Sequence, residues 1–222
     1  MISLPYSGFL AEASPRLRQM LAAQASEVRL ARGEVLFEQG DTGDALYAVI
    51  DGAMEVSILS FDGRKLSLDL LAPGAVFGEI ALFDPGTRTA TVTATEPARL
   101  LRVLSADVLR ELCHHPELAI DMIRLAGQRM RWMGRQLNEQ VFLPVSTRVA
   151  RKLLHLAPRQ GAQTGAVRLS QAELAEYVGA TREAVSKTLA VWKRQGIVDV
   201  TRGHVSIRDV PTLEALADLD RF

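Results

Sequence analysis

The sequence predicts an α+β protein in three consecutive parts: an N-terminal jelly-roll β-barrel, one long helix, and a compact C-terminal unit of helices closed by a hairpin. Three observations carry this. Between Val28 and Val103 short apolar runs are cut by Gly33, Gly40, Gly43, Gly52, Gly63, Gly74, Gly78 and Gly86, the spacing of turns between short strands. From Pro116 to Phe142 no further proline occurs, and Ala119, Ile123, Ala126, Met130, Met133, Leu137 and Val141 recur in threes and fours, a coiled-coil seam. After Pro144 the pattern stays helical, but in shorter segments separated by caps and glycine.

Taken in order, residues 9–28 read as a helix, with Phe9, Leu10, Leu17, Met20, Leu21 and Val28 near helical spacing and Ser14-Pro15 as cap and first turn. Residues 35–37, 45–50, 54–59 and 66–70 read as strands, and Asp62-Gly63 as the primed turn of a hairpin. Eight or so such strands fit a jelly roll; the segments are too dissimilar for a solenoid. Ser105 is placed as cap of a helix over 106–114, and Pro116 opens the long one. Pro144 ends it. The expected domains are therefore 1–115, 116–143 and 144–222. Because a helix of that length outruns a small barrel, its apolar seam is assigned to a parallel homodimer.

Within the last domain, residues 146–157 form an amphipathic helix with Val149, Leu153, Leu154 and Leu156 inward, followed by a polar loop over 159–166. Ser170-Gln171-Ala172-Glu173 is a capping box. Gly179 breaks that helix, Thr181 caps the next, and Gly196 ends it. Residues 197–200 and 204–207 alternate as strands about Arg202-Gly203, and 212–222 reads as a short helix. Helix, glycine turn, helix and hairpin together make a winged helix-turn-helix.

Composition removes several classes of function. No apolar run approaches the ~20 residues of a membrane helix, and no secretory signal pattern opens the chain, so a cytoplasmic protein is expected. The lone Cys113 cannot build a disulfide framework or an iron–sulfur cluster. The four histidines lack metal-ligand spacing, and none lies in the barrel segment to hold a haem. No nucleophile–base pair or acid pair stands at catalytic spacing, so no enzyme is expected. Lys+Arg and Asp+Glu balance at 26 each, but unevenly: residues 1–115 hold ten bases against fifteen acids, residues 144–208 eleven against four. An acidic sensor joined to a basic, polyanion-facing unit fits that gradient.

Two stretches carry the chemistry. Residues 77–93 gather Gly78, Glu79, Gly86, Arg88 and several hydroxyls, including Thr89, into a short segment. That set suits a small ribose-bearing anion: guanidinium–phosphate pairing is charge-assisted, and glycine lets backbone amides approach closely. On the second helix of the C-terminal motif, Arg182, Glu183, Ser186 and Lys187 share one outward face. Arg or Lys can address guanine and Glu the amino group of cytosine in a major groove. Ser170, Gln171, Thr181 and Arg202 complete the DNA-facing candidates.

Both stretches resemble one family, the cyclic-AMP receptor protein/FNR (CRP/FNR) family of bacterial transcription regulators, over about residues 30–207. There Phe-Gly-Glu-Ile-Ala-Leu leading to Arg-Thr-Ala forms a phosphate-binding cassette. The resemblance implies that Glu79 accepts from the ribose 2′-hydroxyl. Arg88 pairs with the cyclic phosphate, aided by Thr89 and by backbone amides near Gly78, Ile80, Ala81 and Ala90. It implies cyclic AMP as ligand, with cyclic GMP open because Thr89 is also the residue of cyclic-GMP-binding kinases. The Glu79–Arg88 separation is that of kinases and channels, one residue shorter than the bacterial receptor's. Met133 and Gly134 occupy the long-helix positions that contact adenine in the receptor. Promoter DNA and RNA polymerase are the implied partners. Lys187 stands where the receptor has arginine, and lacks arginine's planar fork, so a guanine contact there is weaker and less selective. Two other readings share these residues: a nucleotide-independent regulator with a vestigial pocket, and a cyclic-nucleotide-binding subunit that controls a protein partner.

Overall fold

The computed structural model describes residues 14–63, 65–159 and 166–218. The chain divides into two compact units, Met1–Ile58 with Leu68–Trp132, and Leu59–Ser67 with Met133–Phe222. The division falls within the long helix and across the tip of one hairpin.

The first unit begins with α1 (Pro15–Ala23), whose first turn is closed by Ser14 Oγ accepting from Leu17 N at 3.2 Å. Eight strands follow: β1 (Ser26–Leu30), β2 (Val35–Phe37), β3 (Ala45–Asp51), β4 (Met54–Leu59), β5 (Lys65–Leu71), β6 (Val76–Phe77), β7 (Thr91–Ala94) and β8 (Ala98–Leu104). They form two four-stranded sheets, ordered β1-β8-β3-β6 and β2-β7-β4-β5. This is the expected jelly roll, with its two sheets forming a sandwich rather than one closed barrel. Leu30, Tyr47, Val49, Met54, Val56, Phe77, Val92, Ala94 and Leu100 from both sheets make the core between them.

The outer face of the first sheet (Leu46, Ala48, Val76, Leu101, Val103) is covered by Leu17 and Leu21 of α1, Leu82 of α2 (Ile80–Phe83), Val108 of α3 (Ser105–His114), and Leu118, Met122 and Leu125 of α4 (Glu117–Phe142). The alternation of strand side chains thus serves two cores at once. α4 has 26 residues, about 39 Å at a rise of ~1.5 Å. Away from Leu118, Met122 and Leu125 it exposes Ile120, Ile123, Met130, Met133, Leu137, Val141 and Phe142.

Three local expectations are corrected. Val28 lies in β1, not in a helix, because all five β1 residues pair with β8; residues 9–13 lie outside the described residues. The hairpin turn is not primed: no described non-glycine residue has positive φ, so of Asp62 and Gly63 only Gly63 turns left-handed, and its N–H reaches Ser60 O at 2.9 Å. Asp62 instead accepts from Ser60 Oγ at 2.5 Å. Ser105 does not cap α3; it lies inside the first turn, and its buried hydroxyl has no hydrogen-bond partner.

In the second unit α5 (Val145–Arg159) starts directly after Pro144 and buries Val149, Ala150, Leu153, Leu156 and Ala157. Leu154 is only half-buried. α6 (Gln171–Val178) opens on the full capping box of Ser170 and Glu173 and ends at Gly179, φ +66°, the left-handed position glycine adopts at least cost. α7 (Arg182–Arg194) is capped by Thr181 and buries Val185, Leu189 and Trp192. β10 (Val198–Thr201) and β11 (His204–Ile207) form the expected hairpin. The loop expected over 159–166 yields one unforeseen element: Ala166 and Val167 make a third strand, β9, paired with β11; residues 160–165 lie outside the described residues. α8 (Val210–Asp218) starts two residues before the expected Thr212, with Asp209 accepting from Thr212 N at 3.0 Å and Thr212 Oγ1 at 2.6 Å; residues 219–222 lie outside the described residues. Those two bonds, the side-chain one foremost, hold the Asp209 carboxyl below its ordinary range.

Candidate functional site

The first unit carries a pocket lined by Phe37, Val56, Phe77, Gly78, Glu79, Ile80, Ala81, Thr87, Arg88, Thr89, Ala90 and Val92. It is built where β6 gives way to α2. Gly78 has φ +78°, and a Cβ there would come within 2.9 Å of Arg88 Nη1 and 3.0 Å of Ala45 O. Only glycine lets the chain turn at that point without displacing the arginine. The loop between α2 and β7 is fastened to residues 40–43 by Gly40 N to Arg88 O (2.9 Å), Arg88 N to Asp41 O (2.7 Å) and Gly43 N to Gly86 O (2.9 Å).

This frame fixes Arg88, which is 6% exposed. Its Nη1 donates to Ala45 O at 2.9 Å and to Gly78 O at 3.4 Å. Nη2 lies 3.8 Å from Asp44 Oδ1. The guanidinium carbon sits 4.2 Å from the centroid of Phe37 and 5.6 Å from that of Tyr47, which themselves pack with Phe77. Cation–π contact and backbone carbonyls thus hold one edge and one face of the group. Nε–H is buried and has no partner. An unpaired donor on a buried charge costs more than the ~1–3 kcal/mol of a neutral one, and Arg88 lines the pocket as a cation with which an anion can form charge-assisted hydrogen bonds. Glu79, 4% exposed, precedes α2. Thr89 is exposed on the pocket wall.

The structure therefore brings together Gly78, Glu79, Ile80, Ala81, Arg88, Thr89 and Ala90. It does not add Met133 and Gly134, which lie exposed on α4 in the second unit and are not among the lining residues. Phe77, Thr87 and Val92 lie within the predicted stretch 77–93 without having been given a role there, while sequence reasoning missed Phe37, Val56 and the Asp44–Ala45 segment behind Arg88. Phe37 and Val56 come from β2 and β4, and Asp44–Ala45 from the start of β3, which reach the pocket only after folding. Gly40 and Gly43 were the one signal, since spaced glycines mark a loop that another backbone approaches.

In the second unit Arg182, Glu183 and Lys187 are exposed on α7, and Arg202 is exposed at the tip of the β10–β11 hairpin. Four other candidates are engaged in the fold. Ser170 Oγ accepts from Glu173 N at 3.2 Å, and Thr181 Oγ1 from Ala184 N at 3.2 Å, each closing a helix start. Ser186 Oγ donates to Gln171 Oε1. Arg148 of α5, unnoticed in the sequence, donates to Gln140 on α4, to Val178 O at 3.0 Å and to Gly179 O at 3.4 Å. It satisfies carbonyls at the end of α6, and burial lowers its pKa. A Cβ at Gly179 would meet Gln140 Oε1 at 2.7 Å, a second reason for glycine in that turn.

An anion pocket in a jelly roll and a winged helix-turn-helix in one chain define a class: a DNA-binding regulator that responds to a small ligand. Residues 27–115 match the cyclic nucleotide-binding domain, and residues 147–216 the Crp-like helix-turn-helix domain. A CRP-like cAMP-activated global transcriptional regulator of Mycobacterium tuberculosis is 34% identical over 212 residues, 93% of this chain and 94% of that protein. The cyclic AMP receptor protein of Thermus thermophilus is 34% identical over 186 residues, 84% and 85% of the two chains. A solved transcriptional regulator of the CRP/FNR family from the same organism shares the fold with a TM-score of 0.75 at 27% identity, over 87% of this chain and 98% of that one. The chain belongs to the CRP/FNR family of transcription regulators, and is a cyclic-nucleotide-responsive, DNA-binding regulator. Its relatives are regulators rather than enzymes. No helix among the described residues is long and apolar enough to cross a membrane.

Proposed function

We propose that the ligand is cyclic AMP, held in the first unit by Arg88, Glu79, Thr89 and the backbone about Gly78 and Ala90. The observation that carries this is the Arg88 guanidinium, buried and held by Ala45 O and the Phe37 ring in the wall of a pocket that also contains Glu79 and Thr89. A cyclic phosphate supplies the negative oxygen; Glu79 is the acceptor for a sugar hydroxyl. The M. tuberculosis relative, cAMP-activated by name, supports cyclic AMP over cyclic GMP.

The protein acts in the cytoplasm as a homodimer whose α4 seam (Ile123, Met130, Met133, Leu137 and Val141) packs against a second copy. The support is that these side chains, at heptad-like spacing, are all exposed in a single chain. The nucleotide-binding domain, dimer helix and DNA-binding domain correspond to residues 1–115, 116–143 and 144–222. Two α7 helices then address successive major grooves roughly 34 Å apart on a pseudo-palindromic promoter, with RNA polymerase as the further partner. Arg182, Glu183, Lys187 and Arg202 face the DNA. The nucleotide acts by binding the DNA-competent state more tightly, a coupling of ~1–3 kcal/mol.

Isothermal titration of the whole chain with cyclic AMP and with cyclic GMP tests the ligand. Cyclic AMP binds more tightly, and Arg88→Ala removes the heat; silence with both nucleotides defeats the proposal. Light scattering gives twice the 24.3 kDa chain mass if the seam is the dimer contact, and Leu137→Glu halves it.

A further inference from the structure

Only Leu143 and Pro144 separate α4 from α5, yet two arginines of α5 tie the last turn of α4 to elements well beyond that corner. Arg148 Nη1 donates to Gln140 Oε1 on α4, and to Val178 O and Gly179 O, at 3.0 and 3.4 Å, at the end of α6. Arg151 repeats the arrangement. Its Nη1 pairs with Glu139 Oε1 on α4 at 3.2 Å, and its Nε donates to Ala217 O in the last turn of α8 at 2.8 Å. Residues three apart on a helix are surface neighbours, so the two guanidinium groups act side by side. Each joins one side chain of α4 to a helix C-terminus, where carbonyls lack intrahelical partners and the helix dipole favours a cation.

The first of these joints is closely fitted: a Cβ on Gly179 would lie 2.7 Å from Gln140 Oε1. Gly179 is the turn of the helix-turn-helix, Thr181 caps α7 directly after it, and α7 packs on α6. The last turn of α4 and the helix carrying Arg182, Glu183 and Lys187 therefore belong to one braced body, all of it within the second unit. In a dimer held through α4, the angle between α4 and α7 decides how far apart the two α7 helices lie. Neighbouring base pairs are about 3.4 Å apart and turned by about 35°, so an error of one base pair in the distance between half-sites misplaces the second helix both along and around the duplex.

We infer that Arg148 and Arg151 are positioning residues for half-site spacing: by bracing the last turn of α4 to the ends of α6 and α8, they set the number of base pairs that must separate the two half-sites. They read no base; sequence within each half-site is left to α7. This rests on the DNA-binding and α4-dimer readings of the preceding section, and the experiment separates all three.

The whole chain, with and without saturating cyclic AMP, is passed over a randomised duplex library to obtain its preferred site. Affinities are then measured on that site, on versions with one base pair added to or removed from its centre, on a duplex with a single half-site, and on random duplex. Because the arginines also cap helix ends, their α4 partners are removed instead, by Q140A, E139A and the double variant; Gln140 is exposed and Glu139 half-buried. Wild type binds the altered spacings much more weakly than the preferred one. In Q140A and in E139A that discrimination falls by about tenfold, the scale of one hydrogen bond to a charged group, and it falls further in the double variant. As a ratio, it is untouched by any uniform gain in affinity from loss of the Glu139 charge. Preference for the single half-site over random duplex, the dimer mass and the melting temperature stay those of wild type. Discrimination that is unchanged in the double variant, lost together with preference within the half-site, or lost only with a fall in melting temperature overturns the assignment. A wild type that selects one half-site alone removes the dimer reading, and one that selects no sequence removes the DNA-binding reading; either outcome takes the brace with it.

Discussion

Two arginines, Arg88 and Arg182, which the proposed function assigns to a phosphate and to base edges, sit in opposite physical states. Arg88 is buried, seated on Phe37, and bonded to two backbone carbonyls before any ligand arrives. Arg182 is exposed in the first turn of α7 and makes no hydrogen bond or ion pair among the described residues. The difference matches what each has to recognise. A small anion offers few contacts, so its site must meet the ordering cost in advance through the fold. A DNA duplex offers many contacts, and an unconstrained side chain can find a base edge after the backbone is engaged. Stability and recognition are therefore fused at Arg88 and separable at Arg182.

The largest effect expected from this contrast is at Gly78. Gly78→Ala places a Cβ against Arg88 Nη1 and Ala45 O at a positive φ. The left-handed conformation alone costs a non-glycine residue about 1–2 kcal/mol, and the clash adds to it. Urea unfolding should register the loss of stability, and titration should show cyclic AMP affinity falling with it. If stability drops while nucleotide affinity is kept, the arginine is not held as tightly as its partners suggest, and the contrast breaks.

The counterpart on α7 is Arg182→Ala. Removing a base contact made by arginine costs about 1–3 kcal/mol on the preferred site, while surface substitutions leave stability within ~0.5 kcal/mol. Gel-shift titration on the selected site and on random duplex should show a large loss on the first and a small one on the second, with an unchanged melting temperature. Equal losses on both duplexes would make Arg182 a phosphate contact, closer in kind to Arg88.

The contrast also explains what could be read from the chain. In the C-terminal domain the determinants are local: the Ser170–Glu173 capping box, Gly179 and Thr181 act within a few residues of themselves, so that motif was legible almost residue by residue. The pocket was legible only where it is contiguous, over residues 78–90. Its aromatic residues, Phe37 and Phe77 with Tyr47 packed behind them, are assembled from β2, β6 and β3, and apolar strand residues give no sign of which partner they will meet. The misread segments have the same origin. Val28 follows a helix closely enough to extend its period, and only pairing with β8 makes it a strand. Ser105 has the residue type of a cap but sits one position inside the helix, an offset that tertiary contacts decide: its N–H is taken by Asp44 O at 2.8 Å. β9 has two residues, too few for any periodicity to show.

The smallest effect is at Asp199, and it tests whether the winged module is held at its surface by charge where the pocket is held by burial. Asp199 on β10 accepts from Arg208 at 3.4 Å and faces Lys193 Nζ at 3.4 Å. The Arg208 bond first, and Lys193 second, hold its carboxyl below the ordinary value. A carboxyl with a depressed folded pKa binds its proton more weakly in the native state than in the unfolded one. Its contribution is therefore complete above the unfolded pKa, and fades as pH falls through the folded pKa. Asp199→Asn should lower the melting temperature slightly at neutral pH. The gap to wild type should shrink on acidification through the carboxylate range, and shrink also with added salt, because all three groups are solvent-facing. A gap that persists at low pH and high salt would mean that packing of β10 on β11, rather than charge, is what the aspartate supports. In that case the wing would resemble the pocket in being held from within.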